Sequence, residues 1–295
     1  MNLAEDTVRN LRTAGLDPAE SEVLVRAALA EDLRYGPDAT TAATVPEENI
    51  ATAGFNTRAD GVLAGLPLVL AVLDEVVGPE RYRVDRAGAD GAPVRAGECV
   101  LAVRAPVRPL LTAERTALNL LGHLSGIATA TADWVAAVEG TGCVVRDSRK
   151  TTPGIRVPQK YAVRCGGGSN HRFGLGDAML VKDNHVAAAG SAGAALRACR
   201  EHAPELPLEV EVGELAELDE VLAESPELVL LDNFTPADCA EAVRRAAATS
   251  PGTGLEASGG LTLETASAYA KTGVHYLAVG TLTHSAPVLD IGLDM

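Results

Sequence analysis

Basic residues are concentrated between Cys143 and His185, in a chain that is otherwise acidic. This segment has eight arginines and lysines against three aspartates, whereas the whole 295-residue chain has a formal net charge of -15. Three of the four lysines of the chain, Lys150, Lys160 and Lys182, lie in it. Because the acidic remainder would repel a long polyanion, the segment predicts a site for a small anionic ligand.

Polar residues also end each of six β-prone runs that follow residue 142. In parallel α/β folds, functional side chains gather where the strands end. Turn chemistry alone could place an Asp or Asn at a strand end. Six polar ends in succession, with two lysines and two glutamates spaced to share one strand face, favour the functional reading. The ends are Arg146–Lys150, Lys182–His185, Glu209 with Glu211, Asp232–Asn233, Ser258–Gly260 and Gly280–Thr281.

The residue types at these ends suggest one kind of reaction. Arginine and lysine bind carboxylates and phosphates, and the candidates are Arg149, Lys150, His171, Arg172 and Lys182. Two acids, Glu211 and Asp232, offer oxygen ligands for Mg²⁺ or partners for ribose hydroxyls. Backbone N–H groups in the last two strand-end turns could hold a phosphate, and Gly166–Gly168 reads equally well as a third such turn or as a mobile loop. A carboxylate substrate, a phosphosugar and a metal-bound pyrophosphate together specify phosphoribosyl transfer.

Alternating strand and helix patterns position these residues. From Cys143 onward, the β-then-α order predicts parallel strands with right-handed crossovers, hence a (βα) barrel short of eight strands. A doubly wound open sheet is the alternative, which the lack of a G-x-G-x-x-G motif disfavours. Before this region, residues 1–45 have helical spacing, and residues 46–107 combine short strands with a helix at 66–78.

A helix is predicted for residues 108–140, with Thr112 as its N-cap. Arg115 would then lie near the helix start, where the dipole disfavours a cation. Position alone allows either a salt bridge with Glu114 or contact with an anionic ligand. For Asp38, with Thr40 and Thr41, a capping role is favoured over a ligand loop.

Composition excludes several other classes. Aromatic residues make up only 3% of the chain, so a base-stacking surface for nucleic acid is not expected. No apolar run approaches the roughly 20 residues of a membrane span, and the N-terminus lacks the order of a signal peptide. The five cysteines form no C-x-x-C pair, which predicts reduced, buried thiols in a cytoplasmic protein.

Long motifs resemble one enzyme family. They include DSRKTTPGIR, KYAVRCGGGSNHRFGLGDAMLVKDNH, LEVEV, LLDNF, EASGG and AVGTLTHSAPVLDIGL, with ERTALNLLGHLSGIAT upstream. They are similar to quinolinate phosphoribosyltransferase, the carboxylating nicotinate-nucleotide pyrophosphorylase. This transferase makes nicotinate mononucleotide, CO₂ and pyrophosphate from quinolinate and phosphoribosyl pyrophosphate, with Mg²⁺, in NAD biosynthesis.

The resemblance implies a two-domain α/β fold of the type II phosphoribosyltransferase kind. An N-terminal α/β sandwich domain would span residues 1–116, with the tail 283–295 packed on it. An incomplete, seven-stranded α/β barrel would span residues 117–282. The resemblance also implies a homodimer in which Arg115 reaches the partner's site, which favours the functional reading of that residue.

The resemblance further assigns roles at the strand ends. Arg149, His171, Arg172 and Lys182, with Arg115 from the partner, would bind the two quinolinate carboxylates. Lys150, Glu211 and Asp232 would be catalytic and face phosphoribosyl pyrophosphate, with the two acids holding Mg²⁺ either directly or through water. The 5′-phosphate would lie against Ser258, Gly259, Gly260, Gly280 and Thr281. Arg156, Lys160 and Arg164 receive no role.

Two positions depart from the family pattern. The run Arg34–Asp38 replaces a shorter Gly-x-Gly-Asp, and Gln159 stands where an acid is common. Two rivals stay open: a relative of the same fold with another substrate, such as a molybdenum-utilisation protein, and a non-catalytic anion-binding protein. The full set of basic residues argues against the first, and the pair Glu211 and Asp232 argues against the second.

Overall fold

The computed structural model describes residues 3–295. Its strands, in chain order, are β1 Ile50–Thr57, β2 Gly61–Val62, β3 Arg83–Ala87, β4 Pro93–Val94, β5 Cys99–Pro106, β6 Val144–Arg146, β7 Met179–Val181, β8 Leu208–Val212, β9 Leu228–Asp232, β10 Gly254–Ser258, β11 Tyr276–Ala278 and β12 Ile291–Asp294. Its α-helices are α1 Glu5–Ala14, α2 Pro18–Asp32, α3 Ala39–Thr44, α4 Leu66–Val76, α5 Val107–Ala137, α6 Arg156–Cys165, α7 Asp183–Ala189, α8 Ala192–His202, α9 Leu215–Leu222, α10 Pro236–Thr249, α11 Leu263–Ala270 and α12 Thr281–His284. All six strands predicted after residue 142 are present, and helices α8, α9, α10 and α11 lie between them where helical patterns alternate with the strands.

Contacts divide the described chain into two compact units. The first unit contains the residues up to Ala132, together with Thr151–Gly167 and Thr283–Met295. The second unit contains Asp133–Lys150 and Gly168–Leu282. The tail 283–295 therefore groups with the N-terminal residues, and so do residues 117–132 and 151–167, which we had placed in the barrel. The domain boundary at residue 116 stays a prediction.

The first unit is built on an antiparallel sheet of four strands in the order β12-β1-β5-β3. Strands β1 and β5 pair along their whole lengths, with one register shift at Phe55 and Asn56. Phe55 and Leu101 point into a buried apolar cluster that also contains Val69 and Leu73 of α4. The alternation of buried and exposed residues along β1 and the apolar face of α4 thus create one shared core.

The segment 151–167 is fastened within the first unit by polar contacts of α6. Tyr161 donates its hydroxyl to Asp90 at 2.7 Å, and Asp90 also accepts the N–H groups of Gly65 and Leu66 at the start of α4. Arg164 donates to the carbonyl of Ala14. Asp90 therefore caps α4 from a remote loop and links that helix to α6.

The helix α5 begins at Val107, five residues before the predicted N-cap. The prediction for Thr112 was wrong: its hydroxyl donates to the carbonyl of Arg108 at 3.1 Å, as a residue inside a helix does. Pro109 lies in the first turn, where the missing N–H costs nothing. Asp38 does act as a cap, because its carboxylate accepts the N–H of Thr41 at the start of α3.

The second unit is built on a parallel sheet in the order β6-β11-β10-β9-β8-β7. The mixed α/β class with parallel crossovers is therefore confirmed. The described residues form six strands here, with β6 and β7 at the edges, whereas the resemblance implied seven. A single parallel bridge between Arg146 and Ser169 extends the sheet beyond β6.

The two faces of this sheet differ in chemistry. On β8, Val210 and Val212 are buried, as are Val229 and Leu231 on β9, and these alternate with Glu209, Glu211 and Asp232. Residues two apart on a strand share a face, so these four apolar residues lie on one face, and the three acids lie on the other together with Leu230. A parallel sheet usually buries two apolar faces. The face with Glu209, Glu211 and Asp232 is therefore the candidate location of the functional site in this unit.

Two further findings concern the cysteines and the helices. All five cysteines are free thiols; Cys143 and Cys239 are buried, and the other three are half-buried. Among the described residues, no helix combines the length and the hydrophobicity that a membrane crossing requires.

Candidate active site

The carboxyl ends of the six parallel strands bring most of the predicted site residues to one edge of the sheet, which we call the carboxyl edge. Strands β7, β8, β9 and β10 are successive neighbours, so Lys182, Glu211, Asp232 and Ser258 follow one another along this edge. Strand β6, at the far side, leads into Ser148, Arg149 and Lys150. All these residues belong to the second unit.

Lys182 and Glu211 form an ion pair at the ends of β7 and β8. The lysine side chain is 43% exposed and the glutamate side chain 17% exposed, so the pair is open to a ligand on the lysine side. Because the pair lies partly in solvent, it can exchange partners at little cost. A ligand carboxylate could therefore compete with Glu211 for Lys182.

A second charged cluster lies deeper on the same face. Nε2 of His171 lies 2.8 Å from Glu209 and 3.6 Å from Glu256, and Arg146 donates to Glu256 at 2.6 Å. The side chains of Glu209 and Glu256 are 6% and 0% exposed. Arg146 also stacks over the ring of Tyr276, with 4.5 Å between the guanidinium carbon and the ring centroid. Two acids thus share this buried space with one arginine and one imidazole.

Burial strongly perturbs Glu256. Desolvation raises the pKa of Glu256 to about 7, the charge of Glu209 adds to the rise, and Arg146 and His171 oppose it. One carboxylate oxygen of each acid, Oε1 of Glu209 and Oε1 of Glu256, is buried without a hydrogen-bond partner. A proton on Glu256 at neutral pH relieves the repulsion between the two acids.

Asp147 holds the segment that carries His171. Its side chain, which is fully buried, accepts the backbone N–H of His171 at 2.9 Å and the amide of Asn170 at 2.6 Å. The backbone of Ser169 pairs with Val145 and Asp147 on either side of the bridge to β6. The loop before β7 is therefore fixed to the end of β6.

Arg172 follows directly. Its guanidinium donates to the carbonyl of Ala178 at 3.0 Å, and its Nε is buried without a hydrogen-bond partner. Desolvation and the nearby charge of Arg149 lower the pKa of Arg172. Two arginines close enough to repel each other form a site that an anion would stabilise.

A tight turn completes this loop. The carboxylate of Asp177 accepts the N–H groups of Phe173 and Gly174, at 2.6 and 2.7 Å. Desolvation acts to raise the pKa of Asp177, but these hydrogen bonds outweigh it and the pKa is lowered. The turn is therefore stabilised by an ionised carboxylate.

The ends of β9 and β10 have an unusual backbone. Asn233, directly after β9, has φ of 57°, and Gly259 and Gly260, directly after β10, have φ of 87° and 61°. A Cβ on Gly259 would collide with the side chain of Asn233. Asn233 donates its backbone N–H to Ser258 and its amide to Asp232. Glycine is required here because the two strand ends approach closely.

Three residues named in the sequence analysis belong to the first unit. Arg115 is exposed on α5 in the first unit. Gly166 ends α6, and a Cβ there would collide with the carbonyl of Ala128, so Gly166 serves close packing. Lys160, without a predicted role, is fully buried in α6.

Comparison with known proteins identifies the family. A family model described as quinolinate phosphoribosyl transferase, C-terminal domain, matches residues 127–294, and its N-terminal counterpart matches residues 38–125. The chain belongs to the quinolinate phosphoribosyl transferase family. The nicotinate-nucleotide pyrophosphorylase [carboxylating] of Mycobacterium leprae is 58% identical over 92% of this chain and 95% of its own length. The human protein of the same name is 37% identical over 95% of this chain and 93% of its own length.

Solved structures agree with this assignment. The nicotinate-nucleotide pyrophosphorylase of Francisella tularensis aligns with a TM-score of 0.87 at 36% identity, covering 94% of this chain and 96% of that one. NadC from Streptococcus pyogenes aligns with a TM-score of 0.88 at 37% identity, covering 95% and 97%. The resemblance drawn from the motifs is therefore confirmed.

The sequence reasoning placed Arg146 and Glu209 at strand ends but gave them no role, and it did not single out Glu256; the structure brings the three together in the buried cluster. Glu209 carried a usable signal, because it shares a strand face with Glu211. Glu256 stands in the run GLEAS, whose alternation places it on the same face as Ser258. The sequence of this strand did not indicate that Glu256 contacts Arg146, because that residue lies far away along the chain.

The departure at Gln159 has a local explanation. Its amide nitrogen lies 2.8 Å from the carbonyl oxygen of Thr283 and 2.9 Å from Nε2 of His123, and its oxygen accepts the N–H of Thr152. Desolvation lowers the pKa of His123, which favours the neutral form of this ring. An amide can donate to a carbonyl, which an ionised acid cannot do.

Proposed function

We propose that this chain transfers the phosphoribosyl group of phosphoribosyl pyrophosphate to quinolinate with loss of CO₂, giving nicotinate mononucleotide and pyrophosphate for NAD biosynthesis. Family membership and the names of relatives at 58% and 37% identity support this activity. The observation that carries it is the carboxyl edge. There, Lys182, Glu211 and Asp232 lie at the ends of three neighbouring strands, and Arg149 and Arg172, in the loops after β6 and before β7, are close enough for their charges to interact.

Quinolinate would bind through its two carboxylates. Arg149 and Arg172 are close enough for their charges to interact, and a dicarboxylate would neutralise them. Lys182, partly exposed in its pair with Glu211, would take the second carboxylate. Arg115, exposed on α5, would complete the set from a second copy of the chain. This last assignment makes the functional enzyme a homodimer, and it rests on the family resemblance.

Phosphoribosyl pyrophosphate would lie toward β9, β10 and β11. Asn233 and Gly259 hold the ends of β9 and β10 together, so backbone N–H groups near Ser258 and Gly260 are available for the 5′-phosphate. Gly280 and Thr281, at the end of β11, would contribute from the neighbouring strand. Lys150, exposed after β6, would contact the pyrophosphate.

The donor set at Glu211 and Asp232 fits Mg²⁺. This ion prefers oxygen ligands and usually binds one or two carboxylates together with water and substrate phosphates. Two carboxylates on adjacent strands meet that requirement, and the bond from Lys182 engages only Oε2 of Glu211. When bound, Mg²⁺ would supply positive charge that stabilises the departing pyrophosphate.

The reaction follows from this placement. The pyridine nitrogen of quinolinate forms a bond to the anomeric carbon while the bond from that carbon to the pyrophosphate oxygen breaks. Lys150 would stabilise the leaving oxygen, and Glu211 and Asp232 would stabilise positive charge on the sugar. The bond to the adjacent carboxylate then breaks, CO₂ leaves, and the electron pair stays on ring carbon 2 beside the cationic nitrogen. That carbon finally takes up a proton. The protein needs no covalent nucleophile, because positioning and electrostatics suffice.

The test measures CO₂ release from quinolinate labelled in its carboxylates, with phosphoribosyl pyrophosphate and Mg²⁺. We expect release with the wild-type protein, and a rise in the quinolinate KM of about 30-fold or more for Arg172→Ala, since losing one partner of a desolvated charge pair costs about 2–5 kcal/mol. Arg244→Ala removes an arginine that is exposed on α10 and paired with Glu241, and we expect near-normal kinetics.

Two outcomes would contradict the proposal. Absence of CO₂ release while quinolinate still binds would leave only the anion-binding function. An unchanged quinolinate KM in Arg172→Ala would refute the carboxylate assignment.

A further inference from the structure

Gln159 is fully buried in α6, and its side chain contacts two segments that are far apart in the chain. Its oxygen accepts the N–H of Thr152 at 2.9 Å, and its amide nitrogen donates to the carbonyl oxygen of Thr283 at 2.8 Å. The hydroxyl of Thr152 lies 3.1 Å from the same nitrogen. One amide group therefore ties the segment that begins at Thr151 to the segment that begins at Thr283.

Both segments directly follow residues of the candidate site. Thr152 is two residues after Lys150, and Thr283 is two residues after Thr281. At each of these places the chain passes from the second unit into the first, because Thr151 and Thr283 begin segments of the first unit. Two residues span at most about 7 Å, so the positions of Thr152 and Thr283 limit those of Lys150 and Thr281.

The start of α6 orders the first segment. The carbonyl of Thr152 accepts the N–H of Ile155 at 3.3 Å, and Nε of Arg156 donates to the hydroxyl of Thr151 at 2.9 Å. The N–H of Thr152 donates to the side chain of Gln159. An apolar side chain at position 159 would remove the acceptor of this N–H and loosen the turn that follows Lys150.

The second segment packs on α5. The N–H of Leu289 donates to the carbonyl of Gly122 at 3.0 Å, and a Cβ at Gly126 would collide with the backbone of the same segment. His123, between these two glycines, has its Nε2 2.9 Å from the amide nitrogen of Gln159. Gln159 thus holds the start of the second segment next to the part of α5 on which the rest of that segment packs.

We propose that Gln159 is a positioning residue for phosphoribosyl pyrophosphate: its side chain ties Thr152 to Thr283 and thereby fixes Lys150 relative to Thr281. Lys150 would contact the pyrophosphate and Thr281 the 5′-phosphate, and this part rests on the proposed function. Gln159 acts through the backbone of the two segments and does not touch the substrate. Fixing both contacts before the substrate arrives reduces the conformational entropy that binding must remove.

The first test compares Gln159→Met with the wild-type protein in the CO₂-release assay. Methionine fills a similar space but has no amide, so it ties neither segment. We expect the KM for phosphoribosyl pyrophosphate to rise about tenfold. The quinolinate KM should rise less than about threefold, because of its proposed contacts Arg149 alone lies within three residues of Thr152. Equal rises in the two KM values, or no rise in either, would overturn the proposal.

Thr57→Val is the matched control for a loss of stability in the first unit. The hydroxyl of Thr57 is buried in β1 and donates to the carbonyl of Arg95 at 2.6 Å. Valine removes this buried hydrogen bond, so we expect a lower free energy of unfolding without a change in either KM. If Thr57→Val raised the KM for phosphoribosyl pyrophosphate as much as Gln159→Met, the effect would be one of general stability and the proposal would be wrong.

A milder variant, Gln159→Glu, keeps the test open if Gln159→Met does not fold. Its carboxylate can still accept the N–H of Thr152, but an ionised carboxylate cannot donate to the carbonyl of Thr283. We expect the KM for phosphoribosyl pyrophosphate to rise about threefold, with a smaller rise for quinolinate. An unchanged KM for phosphoribosyl pyrophosphate in this variant would count against the proposal.

Hydrogen exchange tests the tie without any turnover. In the ligand-free, full-length protein, the amide of Thr152 should exchange about tenfold faster in Gln159→Met than in the wild type, whereas the amide of Val103, in the antiparallel sheet, should not change. Equal exchange of the Thr152 amide in the two proteins would refute the proposal. If the wild-type protein released no CO₂, the proposed function would fail, but exchange at Thr152 would still show whether Gln159 holds this segment.

Discussion

The buried acid Glu256 should make the stability of the second unit depend on pH. Its pKa is about 7 in the folded protein, against an ordinary value of 4.5, because of burial and the charge of Glu209. Between these values the folded protein keeps a proton that the unfolded chain releases. The stabilising contribution is therefore fully present below pH 4.5 and is lost as the pH rises through about 7.

The magnitude follows from the shift. At about 1.4 kcal/mol per pKa unit, the whole effect is roughly 3 kcal/mol. Glutamine at position 256 removes the titration and keeps an oxygen that can accept from Arg146. Between about pH 5.5 and about pH 8.5, the wild-type protein should therefore lose about 2 kcal/mol of stability relative to Glu256→Gln.

The assay uses urea unfolding followed by tryptophan fluorescence. Trp134 is the single tryptophan of the chain and is buried in the second unit, so it reports on the unit that contains Glu256. The difference in unfolding free energy between wild type and variant is measured at each pH. Glu220→Gln, at an exposed position of α9, controls for the removal of one carboxylate, and its effect should stay within about 0.5 kcal/mol.

One result would refute this reasoning. If the difference between wild type and Glu256→Gln stays constant within about 0.5 kcal/mol over this range, Glu256 does not hold a proton near neutral pH. The carboxylate would then be ionised beside Glu209, compensated by Arg146 and His171 alone.

Three further predictions concern turnover, the strand ends and the first unit. Lys150→Ala should lower kcat about 100-fold with a small change in quinolinate KM, measured by CO₂ release. The reason is that the variant lacks the positive charge that stabilises the departing pyrophosphate. Gly259→Ala should raise the KM for phosphoribosyl pyrophosphate and lower stability by about 1–2 kcal/mol, because a Cβ there requires a left-handed backbone and meets Asn233; Gly252→Ala, which meets no atom within 4 Å, should change neither. Gln159→Glu should lower the free energy of unfolding by about 1–3 kcal/mol in urea titrations near neutral pH, because a carboxylate cannot donate to the carbonyl of Thr283. An unchanged kcat, KM or unfolding free energy, respectively, would contradict each expectation.

Much of the fold was accessible from the sequence because its causes are local. Short β-prone apolar runs predicted all six parallel strands, and helical spacing predicted the helices between them. The motifs also identified the family, which the comparisons confirmed. The start of α5 was missed, since a threonine inside a helix and a capping threonine look alike without the hydrogen bond from its hydroxyl to Arg108.

The sequence by itself determined which residue types stand at the strand ends: basic residues after β6 and β7, acids on β8 and β9, and glycines after β10. Period-two alternation also placed Glu209 on the same face as Glu211. These properties depend only on neighbours along the chain.

Only the tertiary structure decided the partners of those residues. His171 meets Glu209, 38 residues away, and Arg146 meets Glu256, 110 residues away. Such pairs depend on the order and register of parallel strands, which crossover helices separate along the chain. The raised pKa of Glu256 arises from this burial, because desolvation and the charge of Glu209 act on it only once the strands have assembled.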